Sequence, residues 1–156
     1  MPVRLLKSLL CLVAFAALPA HALTVEVDAP DELKALLEQH LETARAARLG
    51  EPLDEAEVAR LRKVSVETAR ELLATEGYFA PQVASTLSGA GETQVLRYVV
   101  TPGPRTTVRS VKIGFEGALA AEGAAGRARV ERAFGLRAGE PFRQADWAAA
   151  KAALLR

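Results

Sequence analysis

The stretch GEPLDEAEVARLRKVSVE at residues 50–67 returns as GEPFRQADWAAAKAALLR at residues 139–156. At that shift of 89 residues Gly50, Glu51 and Pro52 fall on Gly139, Glu140 and Pro141. Leu53 falls on Phe142, Glu57 on Asp146, Val58 on Trp147 and Arg62 on Lys151. Apolar residues meet apolar ones and acids meet acids. Such a period means one small unit used twice, and it constrains the fold more than any other feature of the chain. The segment that follows the repeat in the first copy would have its counterpart after Arg156. The expectation is therefore the front piece of a longer protein, with its second unit incomplete.

Residues 1–22 read as a secretory signal. Arg4 and Lys7 supply the charged start, and the apolar run Ser8 to Leu18 is shorter than the ~20 residues a spanning helix needs. Pro19 ends the run, and Ala20-His21-Ala22 offers the small residues a signal peptidase accepts. The single cysteine, Cys11, lies inside this segment behind Leu10, where a lipobox would need a small residue. The mature chain then has no disulfide, no thiol nucleophile and no sulfur ligand, which suits a bacterial periplasm. Removing Arg4 and Lys7 leaves 18 basic side chains against 19 acidic ones. That balance gives no electrostatic ground for binding nucleic acid.

From Leu23 onward the polarity pattern spells one unit. Val25 and Val27 alternate with polar neighbours as a short strand. A single helix is expected from about Glu32 to Leu49, with Leu33, Leu36, Leu37, Leu41 and Ala44 on its apolar stripe. Gly50 stops it. Asp54 and Glu57 are spaced as a capping box for a second helix reaching about Glu76, with Gly77 as its left-handed cap. Tyr78 and Phe79 are expected to fold back on the helix end. Val83, Ser85 and Leu87 alternate as a strand, residues 88–92 make a hairpin loop, and Leu96, Tyr98 and Val100 form the partner strand. The order is strand, helix, helix, strand, strand: an α+β layer with two helices over one face of a small sheet. Thr101-Pro-Gly-Pro104 marks the boundary, so the first unit takes residues 23–103 and the second 104–156. In the second unit a strand is expected at 108–113 and a loop at 114–126. A short helix then carries Val130, Ala133 and Phe134, and the repeated helix holds Trp147.

Catalytic chemistry finds little footing. The mature chain keeps one histidine, His40, set among Leu36, Leu37 and Leu41 on a helix, so neither a zinc site nor an HExxH-type motif can be built. Gly123-Ala-Ala-Gly126 lacks the GK[ST] ending of a phosphate loop. Arg60, Arg62 and Lys63 read as a solvated helix face, with partner contact the rarer alternative. No cofactor, metal or enzymatic activity is expected.

Particular residues also carry a resemblance. Leu72-Leu73 is followed by Glu76-Gly77-Tyr78-Phe79 and Val83. Tyr98-Val-Val-Thr-Pro-Gly-Pro104 leads through Arg105-Thr106 to Val111-Lys112-Ile113. Gly139-Glu-Pro-Phe142 leads to Trp147 and Lys151. Together, behind a signal peptide, these resemble tandem POTRA domains of the Omp85 superfamily, which precede an outer-membrane β-barrel. Within it, the short first unit with this GYF and PGP wording is most similar to the translocation and assembly module branch. The resemblance implies a periplasmic docking module that meets an elongated inner-membrane partner of the TamB kind and unfolded outer-membrane protein substrates such as autotransporters. The barrel itself would lie outside this chain. Docking would proceed by β-augmentation, in which an extended partner adds a strand to a free sheet edge.

Val83, Ala84, Ser85, Thr86 and Leu87 are the candidate edge, because Ser85 and Thr86 are small and leave room for a neighbour. Gly77 and Tyr78 are assigned to the fold and Trp147 to the core. Rival readings are the periplasmic region of a two-partner secretion transporter and a barrel-free periplasmic scaffold. A third is a secreted hydrolase whose catalytic half lies elsewhere. A proline-rich stretch or plug helix before the first unit would mark the first rival, and a retained apolar anchor the second.

Overall fold

The apolar alternation of the first strand begins the described part of the chain. The computed structural model describes residues 23–50, 52–90, 93–121 and 123–154. The expected signal segment, 1–22, lies outside them, as do Gly91 and Glu92 of the expected hairpin loop. Strand β1 (Thr24–Asp28) turns Val27 into the core and leaves Thr24, Glu26 and Asp28 exposed. It leads into helices α1 (Asp31–His40), α2 (Glu42–Leu49) and α3 (Glu55–Thr75), then strands β2 (Gln82–Ser88) and β3 (Val95–Thr101). The expected strand-helix-helix-strand-strand order is present as an α+β layer, with the first helix in two pieces.

That division corrects the sequence reading of one helix over 32–49. Leu41 takes an extended conformation, φ −68° and ψ 133°, and is fully buried. The bend lets Leu33 and Leu37 of α1 and Thr43, Ala44 and Ala46 of α2 all bury. Breaking the helix leaves carbonyls at the end of α1 without partners. Arg48 meets that need, its guanidinium donating to the carbonyls of Glu38 and Gln39. Gly50 closes α2 at φ 64°, where a side chain would be strained.

The capping box forms by half. Asp54 Oδ1 accepts from Glu57 N at 2.7 Å and caps α3, but the Glu57 carboxylate turns to Arg60 instead of back to the cap. Along α3 Val58, Leu61, Ala69 and Leu73 face inward as the sequence predicts, Leu72, expected with them, is half-buried, and Ser65 joins the buried face.

The sheet order is β1-β3-β2, with β1 parallel and β2 antiparallel to β3. Leu96, Tyr98 and Val100 of β3 face the helices and are buried, while Arg97 and Val99 face outward. The core joins these to Leu33, Leu37, Leu41, Leu73, Tyr78 and Val83. At its centre Tyr98 has 0% exposure. The Tyr98 hydroxyl and Thr43 Oγ1 are hydrogen-bonded at 3.1 Å, and Thr43 Oγ1 and Ser65 Oγ at 3.2 Å. Thr43 N donates to Ser65 Oγ, and Glu42 accepts from Ser65 and Thr68 at the rim of the cluster.

The second half departs further from expectation. Residues 108–113 form no strand; an isolated bridge joins Thr107 to Pro141. A strand needs a neighbour for its backbone groups, and the bonds to residues 139–142 end at Val108, which donates to Glu140 and accepts from Gly139. The expected loop over 114–126 instead contains α4 (Ala118–Ala121) and the start of α5 (Ala124–Ala133). Helix α6 (Gln144–Ala153) occupies the repeated position, its first residue 89 after that of α3. Trp147, expected in the core, keeps 37% of its surface exposed. It stands edge-on to the buried Phe134 at 6.1 Å, and Lys151 lies over its ring.

Burial holds the Tyr98 hydroxyl above its ordinary value, with the Thr43 and Ser65 hydrogen bonds opposing the shift in part. The sign follows: above pH ~10 the unfolded tyrosine releases its proton first, so stability present below that pH falls as pH rises toward the folded value. The slope is at most about 1.4 kcal/mol per pH unit. Urea melts between pH 9 and 11 should show this loss, and Tyr98→Phe should flatten it.

Candidate docking edge

Three strands with helices on one face leave two edges, and the edges differ. In β1, Glu26 and Asp28 put two carboxylates into five residues, and charge is a common guard on an exposed edge. In β2, seven residues run without a charge. The candidate residues Val83, Ala84, Ser85, Thr86 and Leu87 all lie on this uncharged edge strand.

Which backbone groups face outward can be read from the register. Gln82 stands opposite Thr101. Pro102 has no N–H, so it cannot supply the flanking bond of a non-hydrogen-bonded pair. Gln82 and Thr101 must therefore exchange both bonds. Counting in twos, Ala84, Thr86 and Ser88 also bond to β3. Val83, Ser85 and Leu87 then turn their backbone N–H and C=O groups to the free side. Their side chains point under the helices: Val83 is buried, and Ser85 and Leu87 are half-buried. Ala84 and Thr86 are exposed on the open face of the sheet.

One residue that sequence reasoning set aside proves central here. Arg62 leaves the solvated face of α3 and reaches the edge. Its Nε donates to Ser85 Oγ and its Nη2 to the Ser85 carbonyl, both at 2.8 Å. The space beside Ser85, expected to stay open for a neighbour, is thus held by a guanidinium. Arg60 behaves as expected of a solvated face, pairing with Glu57 one turn back. Arg62 adjoins Leu61 and sits one turn before the half-buried Val66, at the margin of the apolar stripe. That position was the available signal. Between α3 and β2 runs a shallow groove of about 330 Å³, lined by Ala59, Val66 and Ser85 with Arg62, Lys63 and Glu67.

Gly77 and Tyr78 mark a different place, the joint between the two halves. Gly77 has φ +92°, and a Cβ there would collide with the carbonyl oxygen of Phe142. Its own carbonyl accepts from Thr106 N at 2.9 Å, and the Thr106 carbonyl accepts from Phe142 N. Glu76 receives Arg105 at its backbone carbonyl, 2.8 Å, and Arg143 at its carboxylate, 2.9 Å. Tyr78 is buried beneath Arg105, whose guanidinium lies 5.5 Å from the ring centre. Phe79, expected against the helix end, is 58% exposed and meets Phe142 instead.

No group of three or more potential metal ligands occurs among the described residues, and none of their helices is long and apolar enough to cross a membrane. His40 is exposed at the end of α1.

No protein-family model and no curated protein matches the chain. Among solved structures, the crystal structure of Haemophilus influenzae BamA POTRA3-5 is similar at 19% identity and a TM-score of 0.42. The match covers 86% of this chain and 48% of that one, so the chain spans about half the length of that structure.

The two-fold constraint at Gly77 separates it from Gly50. Gly50 also has positive φ but has open space around its missing Cβ. Gly77→Ala should cost about 1–3 kcal/mol. It should exceed the cost of Gly50→Ala, which carries the backbone penalty alone, when both are compared by urea denaturation.

Proposed function

We propose that this chain is a periplasmic docking module of the POTRA type, belonging to an outer-membrane protein assembly factor of the Omp85 superfamily. On this reading β2 receives an extended segment of a partner or substrate chain as a fourth strand. The observation that carries it is the β2 edge: seven uncharged residues whose Val83, Ser85 and Leu87 backbone groups face outward beside an open groove. Outward backbone groups in a row, of which the Ser85 carbonyl is held by a removable guanidinium, are the chemistry an extended peptide satisfies.

The GYF and PGP wording favours the TamA branch, with a TamB-like inner-membrane protein as partner and autotransporter-type proteins as substrates. The module works by binding and carries out no chemistry. Its lone mature histidine is solvent-exposed, and its buried hydroxyls, Thr43, Ser65 and Tyr98, are spent on one another.

Ser85→Pro tests the edge. It removes an outward N–H while the ladder bonds to β3 come from Ala84 and Thr86, so the sheet tolerates it. Binding of an unfolded outer-membrane protein fragment, followed by cross-linking from a photoreactive residue at Thr86, should fall by tenfold or more while the urea midpoint changes little. Equal loss of stability and binding would show that this strand does not act as a free edge.

A further inference from the structure

We infer that Arg62 selects the strand that docks on β2, favouring an extended segment that carries a carboxylate side chain opposite Ser85. The inference rests on the docking reading above and adds the chemistry of the occupant.

The guanidinium of Arg62 is part-buried, yet both of its partners are neutral oxygens of Ser85. No carboxylate lies within ion-pair distance of Arg62 or Lys63 among the described residues. The nearby acid, Glu67, is engaged by Arg70 at 2.6 Å. The groove therefore carries two cations that make no ion pair among the described residues, beside one carboxylate, Glu67, that is already held by Arg70, while Arg60 pairs with Glu57 one turn away. Arg62 uses two of the five N–H donors a guanidinium presents, leaving donors free for an incoming acid.

Position makes this more than a surface charge. The Ser85 carbonyl is the middle acceptor of the three that face outward from β2. An arriving strand must bond to it, and Arg62 already does. A neutral strand has to share or displace the guanidinium and leave it half-desolvated with weaker partners. A strand bearing Asp or Glu offers a charge-assisted, two-pronged bond in exchange, and the Ser85 carbonyl is released to the new ladder. Arg62 thus guards the edge against indiscriminate pairing and opens it to acidic segments.

The test uses the whole chain and two acetylated, amidated seven-residue peptides of alternating threonine and valine, one with Glu at the centre and one with Gln. Amide shifts of residues 83–87 locate binding and titration gives the affinities. The Glu peptide should bind about tenfold more tightly than the Gln peptide, the order expected of one charge-assisted hydrogen bond. The preference should shrink in 0.5 M salt and vanish in Arg62→Gln. It should persist in Arg60→Gln, which removes a cation from the same helix but not from the edge. Equal affinities for both peptides, with the β2 amides still shifting, would overturn the role of Arg62 and leave edge docking intact. No shift in β2 with either peptide would overturn both.

Discussion

A tyrosine hydroxyl with no route to water has to be satisfied inside the fold, and Tyr98 sets that requirement at the middle of the middle strand. Leaving such a group unpaired costs on the order of 1–3 kcal/mol. The solution draws in two helices: Thr43 from α2 and Ser65 from α3 meet over β3 and bond with one another. The chain bends at Leu41 just before Thr43, and residues on both sides of the bend are buried. The polar cluster fixes where α3 lies along the strands in a way that aliphatic packing alone would leave loose. Among the described residues no buried side-chain polar atom lacks a partner, so the arrangement carries no local penalty.

Placing α3 also places the edge. The helix runs beside β2 so that Ser65 faces the core and Arg62, one turn earlier, overhangs the strand. A shift of α3 by one residue would turn Arg62 into solvent and bare the Ser85 carbonyl. Core polarity and edge chemistry are thus coupled through one helix. The same coupling explains why a guard on an edge can be an arginine from a neighbouring helix instead of a charge on the strand itself. The strand keeps its regular backbone, while the blocking group stays removable.

Much of the structure up to β3 was legible because its signals are local. The inward spacing of Val58, Leu61, Ala69 and Leu73, the αL glycines after α2 and α3, and the alternation of Leu96, Tyr98 and Val100 each follow from a period or a cap. The break at Leu41 was not legible. Nothing in LEQHLETAR opposes a helix, and the bend serves tertiary packing, with buried residues on both sides of it. Arg62 escaped for a similar reason, since a basic residue beside two others on a helix reads as solvated until its strand neighbour is known. In the second half, Val108 to Ile113 alternates as a strand should, yet alternation only makes a strand possible. A ladder needs a second backbone beside the first, and residues 139–142 accompany the chain only from Thr106 to Val108.

The repeat keeps geometry and changes chemistry. Both copies enter their helix through a glycine at positive φ, a proline two residues on and an extended N-cap residue. In the first copy that N-cap is Asp54, which spends its carboxylate on the helix's own Glu57 N–H. In the second it is Arg143, which makes no cap bond and reaches instead to Glu76 at the far end of α3. Phe142, standing where the first copy has Leu53, leaves the inward position to contact Phe79. A helix that gives up its cap sacrifices roughly 1 kcal/mol of local stability. What it gains is an ion pair and an aromatic contact to the preceding unit, beside the backbone bonds that Thr106 and Phe142 already make there. Gly77 is required because this backbone comes so close. The joint is therefore specified at least as much by the second copy's departures from the repeat as by the prolines between the units. The loop Pro102–Pro104 leads out of β3, and Arg143, Phe142 and Arg105 supply the side-chain contacts to Glu76, Phe79 and Tyr78.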